Sequence, residues 1–282
     1  MRRLIVCADD FGFDVSVNEA VEQAHRHGIL SSASLMVTAP AAADAAARAS
    51  RLPELRVGLH LVLIDGVPTL RGERGSLARR DGRFDASPLR AGLRYFFGPG
   101  IRARLAGEIR AQFDAFAATG LALDHVNAHK HMQLHPTIAR LAVEIGREYG
   151  LRAMRLPAEP AAPLRCAVPR ERRLPALFAP AVAALRRRLR RTGIVSNDHV
   201  FGIAWSGAMT KDRVMNLLPH LPEGVSEIYF HPAVGRSTAV AEAMPGYRNS
   251  EELDALLSPA VRQRIDQLGI ALTTYGDLAE GR

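Results

Sequence analysis

Residues 4–27 read LIVCADDFGFDVSVNEAVEQAHRH. Residues 4–8 form a short apolar run of strand character that stops at two aspartates, and residues 16–27 follow with apolar side chains at helical spacing. The unit recurs along the chain. Strand-like runs at 34–37, 57–59, 123–126, 153–156, 199–203, 227–230 and 270–273 alternate with helical patterns at 41–51, 101–119, 136–149, 212–218 and 259–267. Strand then helix, repeated, predicts a parallel sheet with helices outside it. Seven or so strands, without a Gly/Pro/Ser-rich linker or an internal repeat, predict an α/β fold with one barrel-like domain over 1–282. Residues 65–100, rich in Gly, Arg and Pro, read as an excursion placed to roof a site.

The chain has 282 residues, 48% of them hydrophobic and 23% charged, which excludes disorder, collagen and coiled coil. Its most apolar stretch, around residues 33–47, contains Pro40 and Asp44, so no run of about 18 uncharged apolar residues crosses a membrane. The N-terminus starts like a secretory signal, but the aspartates arrive too soon for one. Cys7 and Cys166 suit a reducing compartment and offer no zinc-finger spacing. A cytoplasmic location is expected.

The net charge of +8 is local. Residues 165–191 hold nine arginines and one acid, Glu171, so this segment alone carries 9 − 1 = +8 and the remainder is neutral. A nucleic-acid enzyme spreads its basic residues along a groove, and nucleic acid is not expected as a partner. Leu174, Leu177, Phe178, Ala181, Val182, Leu185 and Leu189 fall in an arc of about 140° on a helical wheel. The segment 165–195 is therefore expected to insert a basic amphipathic helix, kinked or restarted at Pro180. Two readings follow: a surface helix with solvated arginines, or a helix lying on an anionic bilayer.

Loops after parallel strands carry chemistry. Four such places hold acid–base or metal-type residues: Asp9 and Asp10; His60; the cluster His125, His129, His131 and His135; and His231. Adjacent buried carboxylates repel unless a cation sits beside them, and a divalent metal meets that need. One carboxylate and two imidazoles leave positions open for water and substrate, as hydrolysis requires. Asp9, Asp10, His60, His129 and His231 supply a ligand set, a base and an acid.

ADDFG at 8–12, GLHLVL at 58–63, HVNAHKHMQLHP at 125–136 and YFHPA at 229–233 resemble the YdjC-like carbohydrate deacetylases. LVLIDGVP with NAHKH is similar to the subgroup associated with hopanoid biosynthesis. The resemblance implies a deformed (β/α) barrel that uses a divalent metal to remove acetyl groups from N-acetylated amino sugars; one Asp and two His accept zinc, iron, cobalt, manganese or magnesium, and zinc or magnesium is expected. It implies Asp10, His60 and His129 as ligands, with His131 the alternative to His129, Asp9 as base, and His231 as acid or substrate clamp. Relatives commonly carry Asp-Ser-His-His-His where this chain has residues 127–131, so Asn127 is expected to orient a neighbour through its amide and Lys130 to enter the site or point outward.

The implied substrate is an N-acetylglucosaminyl hopanoid, with soluble chitobiose as the alternative and a metal phosphoesterase as the rival reading. Phosphate recognition needs nearby cations, and only Lys130 and Arg155 qualify. A lipid substrate gives the basic helix a membrane surface to lie on, places the protein at the inner membrane, and leaves a homodimer open. Trp205 and Phe201 are candidates to line a lipid slot or to stack on the sugar, against core packing.

Overall fold

The computed structural model describes residues 1–72, 77–168 and 178–281. Its strands are β1 (Arg2–Phe11), β2 (Ser32–Leu35), β3 (Arg56–Leu61), β4 (Val126–Ala128), β5 (His199–Phe201), β6 (Gly224–Phe230) and β7 (Ala271–Leu272). All pairings are parallel, in the order β4-β3-β2-β1-β6-β5, with β7 added beside β1. The helices are α1 (Val15–His27), α2 (Ala42–Ala49), α3 (Pro88–Phe97), α4 (Ile101–Ala117), α5 (Pro136–Gly146), α6 (Ala161–Ala167), α7 (Ala179–Thr192), α8 (Lys211–Leu217), α9 (Thr238–Ala243), α10 (Asn249–Leu257), α11 (Pro259–Gln267) and α12 (Tyr275–Ala279).

Residues 153–158 join the two sheet edges and curl the sheet into a deformed (β/α) barrel. Val126 bridges Met154, Ala153 bridges Val195, and the Val200 N–H reaches the Ala158 carbonyl at 3.0 Å. The strand expected at 153–156 is thus reduced to isolated bridges. The cause is a side chain: Asn197 Oδ1 accepts from the Leu156 N–H at 2.7 Å, and its Nδ2 donates back to the Leu156 carbonyl at 2.8 Å. An amide side chain stands in for a strand backbone, so the regular ladder stops there.

β1 is buried on both faces, with Leu4, Val6 and Ala8 in the core shared with the helices and Ile5 and Cys7 in small clusters apart from it. The helices contribute one apolar face each, as Ala20, Val21 and Ala24 do in α1. Glycine is needed at residue 58, where a Cβ would stand 2.5 Å from the His125 ring.

One expectation changes and two alternatives are narrowed. The 65–100 excursion is not all loop, because its second half folds as α3, capped at its N-terminus by Ser87. Of the two alternatives for Pro180 the restart holds: α7 begins at Ala179 and Pro180 occupies its first turn, where its missing N–H costs nothing. In the described part of the apolar stripe of α7, Leu185 and Leu189 are buried and the helix packs on α5, as the surface-helix reading expects, while Phe178 is exposed. Arg170, Arg172, Arg173, Leu174, Pro175 and Leu177 lie outside the described residues. Among the described residues no helix is long and apolar enough to cross a membrane.

Candidate active site

A cleft of about 770 Å³ opens at the carboxyl ends of the strands, lined among others by Asp9, Asp10, His60, His129, His131, Tyr229 and His231. Strict strand alternation would send the side chains of Asp9 and Asp10 to opposite faces. Asp10 avoids this by taking a left-handed φ of 59°, and the β1–β2 register slips between Ala8 and Phe11. Both carboxylates then line the cleft. Among the described residues the other non-glycine positions with left-handed φ are Asp65, Lys130 and His131, and all line the same cleft. Such conformations cost energy and gather where the surrounding structure imposes a geometry.

Asp10 Oδ1 stands 3.3 Å from His60 Nε2 and 3.3 Å from His129 Nδ1, and the two imidazole nitrogens are 3.4 Å apart. Ligands around a tetrahedral ion at about 2.0–2.1 Å from each are spaced by about 3.4 Å. Asp10 Oδ1 is buried and has no hydrogen-bond partner, an expensive state for a carboxylate oxygen unless a cation meets it. The residues present therefore fit a divalent ion. His60 lies opposite Asn127 in the β3–β4 pairing, and its Nδ1–H donates to Asn127 Oδ1 at 2.7 Å, which turns Nε2 toward the cluster.

His131 does not join the cluster. Its Nε2 lies 3.2 Å from the Tyr229 hydroxyl, and burial, with the Arg155 charge nearby, holds its pKa down at about 3. Replacing His129 with alanine is expected to abolish tight binding of zinc, while His131→Ala retains it; metal content after dialysis, read by mass spectrometry, checks this. Equal loss in both variants would reassign the ligand.

Asp9 sits beside the cluster in a different environment. Burial raises the pKa of its carboxyl, but the Arg155 guanidinium, His60 and direct hydrogen bonds outweigh burial and hold it well below the usual carboxylate range. Arg155 donates to both Asp9 oxygens, at 2.5 and 2.9 Å, and Asn127 Nδ2 donates to Asp9 Oδ1 at 3.0 Å. Arg155 also donates twice to Glu227, at 2.9 and 2.6 Å, and lies 4.7 Å over the Tyr229 ring. Arg155 and Glu227 were not legible as site residues beyond the reading of Arg155 as a phosphate contact. The available signal was an arginine inside the apolar run AMRLP at 153–157.

His231 faces the cleft beside Tyr229 and Tyr247, at ring-centre distances of 5.6 and 5.1 Å. Its backbone is pinned, since its N–H donates to Glu252 and its carbonyl accepts from Asn249 Nδ2 at 2.6 Å. Lys130 points to the cleft rim and pairs with Asp65 of the roof. Gly66, Val67 and Arg83 from the same excursion also line the cleft.

Two members of the histidine cluster lie elsewhere. His125 is buried under the site between Asp124 and Ser34, at 2.8 and 3.0 Å, and His135 bonds the Gly92 carbonyl of α3 at 3.1 Å. Trp205 does not line the cleft. It is buried in the core with Arg213 5.5 Å over its ring, and Phe201 is buried as well; Ile203 and Ser206 take the place expected of them.

Fold and donors define a parallel α/β barrel with an Asp–His–His cluster at its strand ends and a second, ion-paired aspartate beside it. Residues 3–267 match the YdjC-like proteins, and the chain belongs to that family. It is 30% identical over 280 residues to a carbohydrate deacetylase from Geobacillus stearothermophilus, covering 97% of each chain. It is 28% identical over 277 residues to one from Brevibacillus brevis, covering 98% of this chain and 99% of that one. The fold is shared with a solved structure from Enterococcus faecalis V583, provisionally described as a cellobiose-phosphate cleavage protein. That likeness has a TM-score of 0.75, 23% identity and 98% coverage of both chains.

Proposed function

We propose that this protein is a metal-dependent carbohydrate deacetylase that hydrolyses the N-acetyl group of an amino sugar. The observation that carries the reading is the Asp10–His60–His129 cluster with Asp9 beside it and His231 lining the same cleft. Zinc or magnesium held by these three residues supplies Lewis acidity and makes a neighbouring water acidic.

The residues of the chain do the rest. Asp9 stays ionised because Arg155 and Asn127 hold its oxygens, and it accepts the proton of the attacking water. Water oxygen bonds to the acetyl carbonyl carbon, the carbon–nitrogen bond breaks, and His231 donates a proton to the departing nitrogen. Acetate and a free amine result. Asn127 keeps His60 in one tautomer throughout.

The finer reading is an N-acetylglucosaminyl hopanoid as substrate, reached at an anionic membrane surface. Its support is the LVLIDGVP and NAHKH segments, the arginines of α7, and the apolar lining that Ala239, Ala243, Met244 and Pro245 give one part of the cleft. Soluble chitobiose fits the same chemistry. Of the cations available to the phosphoesterase rival, Arg155 is bonded to two carboxylates and Lys130 to Asp65, which leaves it Arg83 at the cleft wall.

Acetate release from N-acetylglucosaminyl hopanoid and from chitobiose, each with and without chelator, tests the reading. Release from at least one substrate that chelator stops is expected, and the hopanoid is expected to be the better of the two. Chelator-insensitive release removes the metal role. Hydrolysis of p-nitrophenyl phosphate without acetate from either sugar overturns the whole.

A further inference from the structure

α3 presents an apolar stripe to solvent. Leu89, Leu93, Phe96 and Phe97 recur at i, i+4, i+7 and i+8 and are 72, 53, 57 and 73% exposed. The opposite face is anchored by buried Ala91 and Tyr95, the latter donating its hydroxyl to the Leu63 carbonyl at 2.6 Å. Large exposed apolar side chains are few among the described residues, so four on one helix mark a contact surface rather than scatter.

A surface pocket of about 430 Å³ lies beside the stripe, lined by Phe96 together with Arg102, Arg140 and Arg188 from α4, α5 and α7. Among the described residues no carboxylate lines it, although Arg140 has Glu144 3.8 Å away along α5. Apolar side chains flanked by guanidiniums match a bilayer surface, where acyl chains and lipid phosphates lie within one layer of each other. A second copy of the chain is a poorer occupant, because two such faces would bring their arginines together.

We infer that α3 is a membrane-inserting element: Leu89, Leu93, Phe96 and Phe97 enter the acyl boundary of an anionic bilayer while Arg102, Arg140 and Arg188 hold phospholipid phosphates. This goes beyond contact through the arginines of α7, and it does not require that the substrate be a lipid. α3 belongs to the same excursion as Asp65, Gly66, Val67 and Arg83 of the cleft wall, so docking brings the cleft wall toward the interface.

The test is sedimentation of the full chain with phosphatidylcholine vesicles, with and without phosphatidylglycerol. Wild type is expected to bind the anionic vesicles, and Phe96→Ser/Phe97→Ser to bind them at least about tenfold more weakly. In Phe97→Trp, brominated acyl chains are expected to quench the new indole but not the buried Trp205. Binding by the serine variant equal to wild type, or an unquenched indole, overturns the inference. So does loss of binding only when Arg187, Arg190 and Arg191 are neutralised, which leaves α7 as the contact. A dimer lost in the serine variant, without vesicle binding by wild type, makes the stripe a self-association face and also overturns it. Circular dichroism confirms folding of each variant. Acetate release from chitobiose is measured in parallel, so failure of the deacetylase reading shows there and not in the vesicle assay.

Discussion

Asp9→Asn is expected to lower acetate release by about 10³-fold while the ion stays bound, the size of effect that a positioned general base supplies. The geometry makes the test selective. Asp9 lies outside the cluster of donor atoms formed by Asp10, His60 and His129, so its loss removes a proton acceptor and no ligand. Its neighbours offer only donors, from Arg155 and Asn127, so an amide nitrogen in place of one oxygen meets an N–H and the variant also loses stability, by about 1–3 kcal/mol. Turnover under saturating substrate, metal content and the melting temperature separate these effects. Metal-loaded, folded Asp9→Asn that keeps turnover within tenfold of wild type would remove the base assignment.

The strand-end residues were legible because a parallel barrel leaves them little choice. A strand that ends near Asp9 and Asp10, or near His60, delivers those positions to one rim of the barrel, whichever way each side chain then turns. What the pattern cannot express is the local twist that sorts sequence neighbours. His125, His129, His131 and His135 look like one cluster, yet left-handed residues 130 and 131 split it, and only His129 meets Asp10. The bulge that lets Asp9 and Asp10 share a cleft is equally invisible, since aspartate carries no strong signal for positive φ.

Three further outcomes were decided by local packing and hydrogen bonding. For Trp205 the alternatives were a cleft lining and core packing, and burial of the large ring against Arg213 decided for the core. α3 was hidden in the Gly- and Pro-rich composition around residues 65–100. Composition averages over a segment, whereas a helix needs only ten residues, here Pro88–Phe97, between a serine cap and Gly98. The closing strand at 153–156 failed because Asn197 supplied hydrogen bonds that sequence patterns assign to backbone.

The support under Asp9 leads to the second large effect. Arg155 is fully buried between Asp9 and Glu227, whose side chains are 4% and 0% exposed, and Glu227 is held further by the Tyr275 hydroxyl at 2.7 Å. Replacing a buried ion triad wholesale with apolar residues is often tolerated, but removing the cation alone strands two carboxylates in the barrel interior. Arg155→Met is therefore expected to cost about 3–5 kcal/mol at pH 8, measured by denaturant unfolding of chelator-treated protein.

The pH dependence should change sign. In wild type the folded pKa of Asp9 is depressed below its ordinary 3.8, so its contribution is present above about pH 4 and is lost as pH falls through the folded value. Without Arg155, burial, the largest influence on this carboxyl, is opposed by His60 and His231 and is expected to push its folded pKa above the unfolded one. Stability is then greatest below the unfolded pKa and is lost as pH rises. Arg155→Met should accordingly gain stability relative to wild type between pH 8 and pH 5, whereas a variant that merely left a cavity would keep a constant deficit. A deficit independent of pH would mean that the triad fills space and that Asp9 is held ionised by something else.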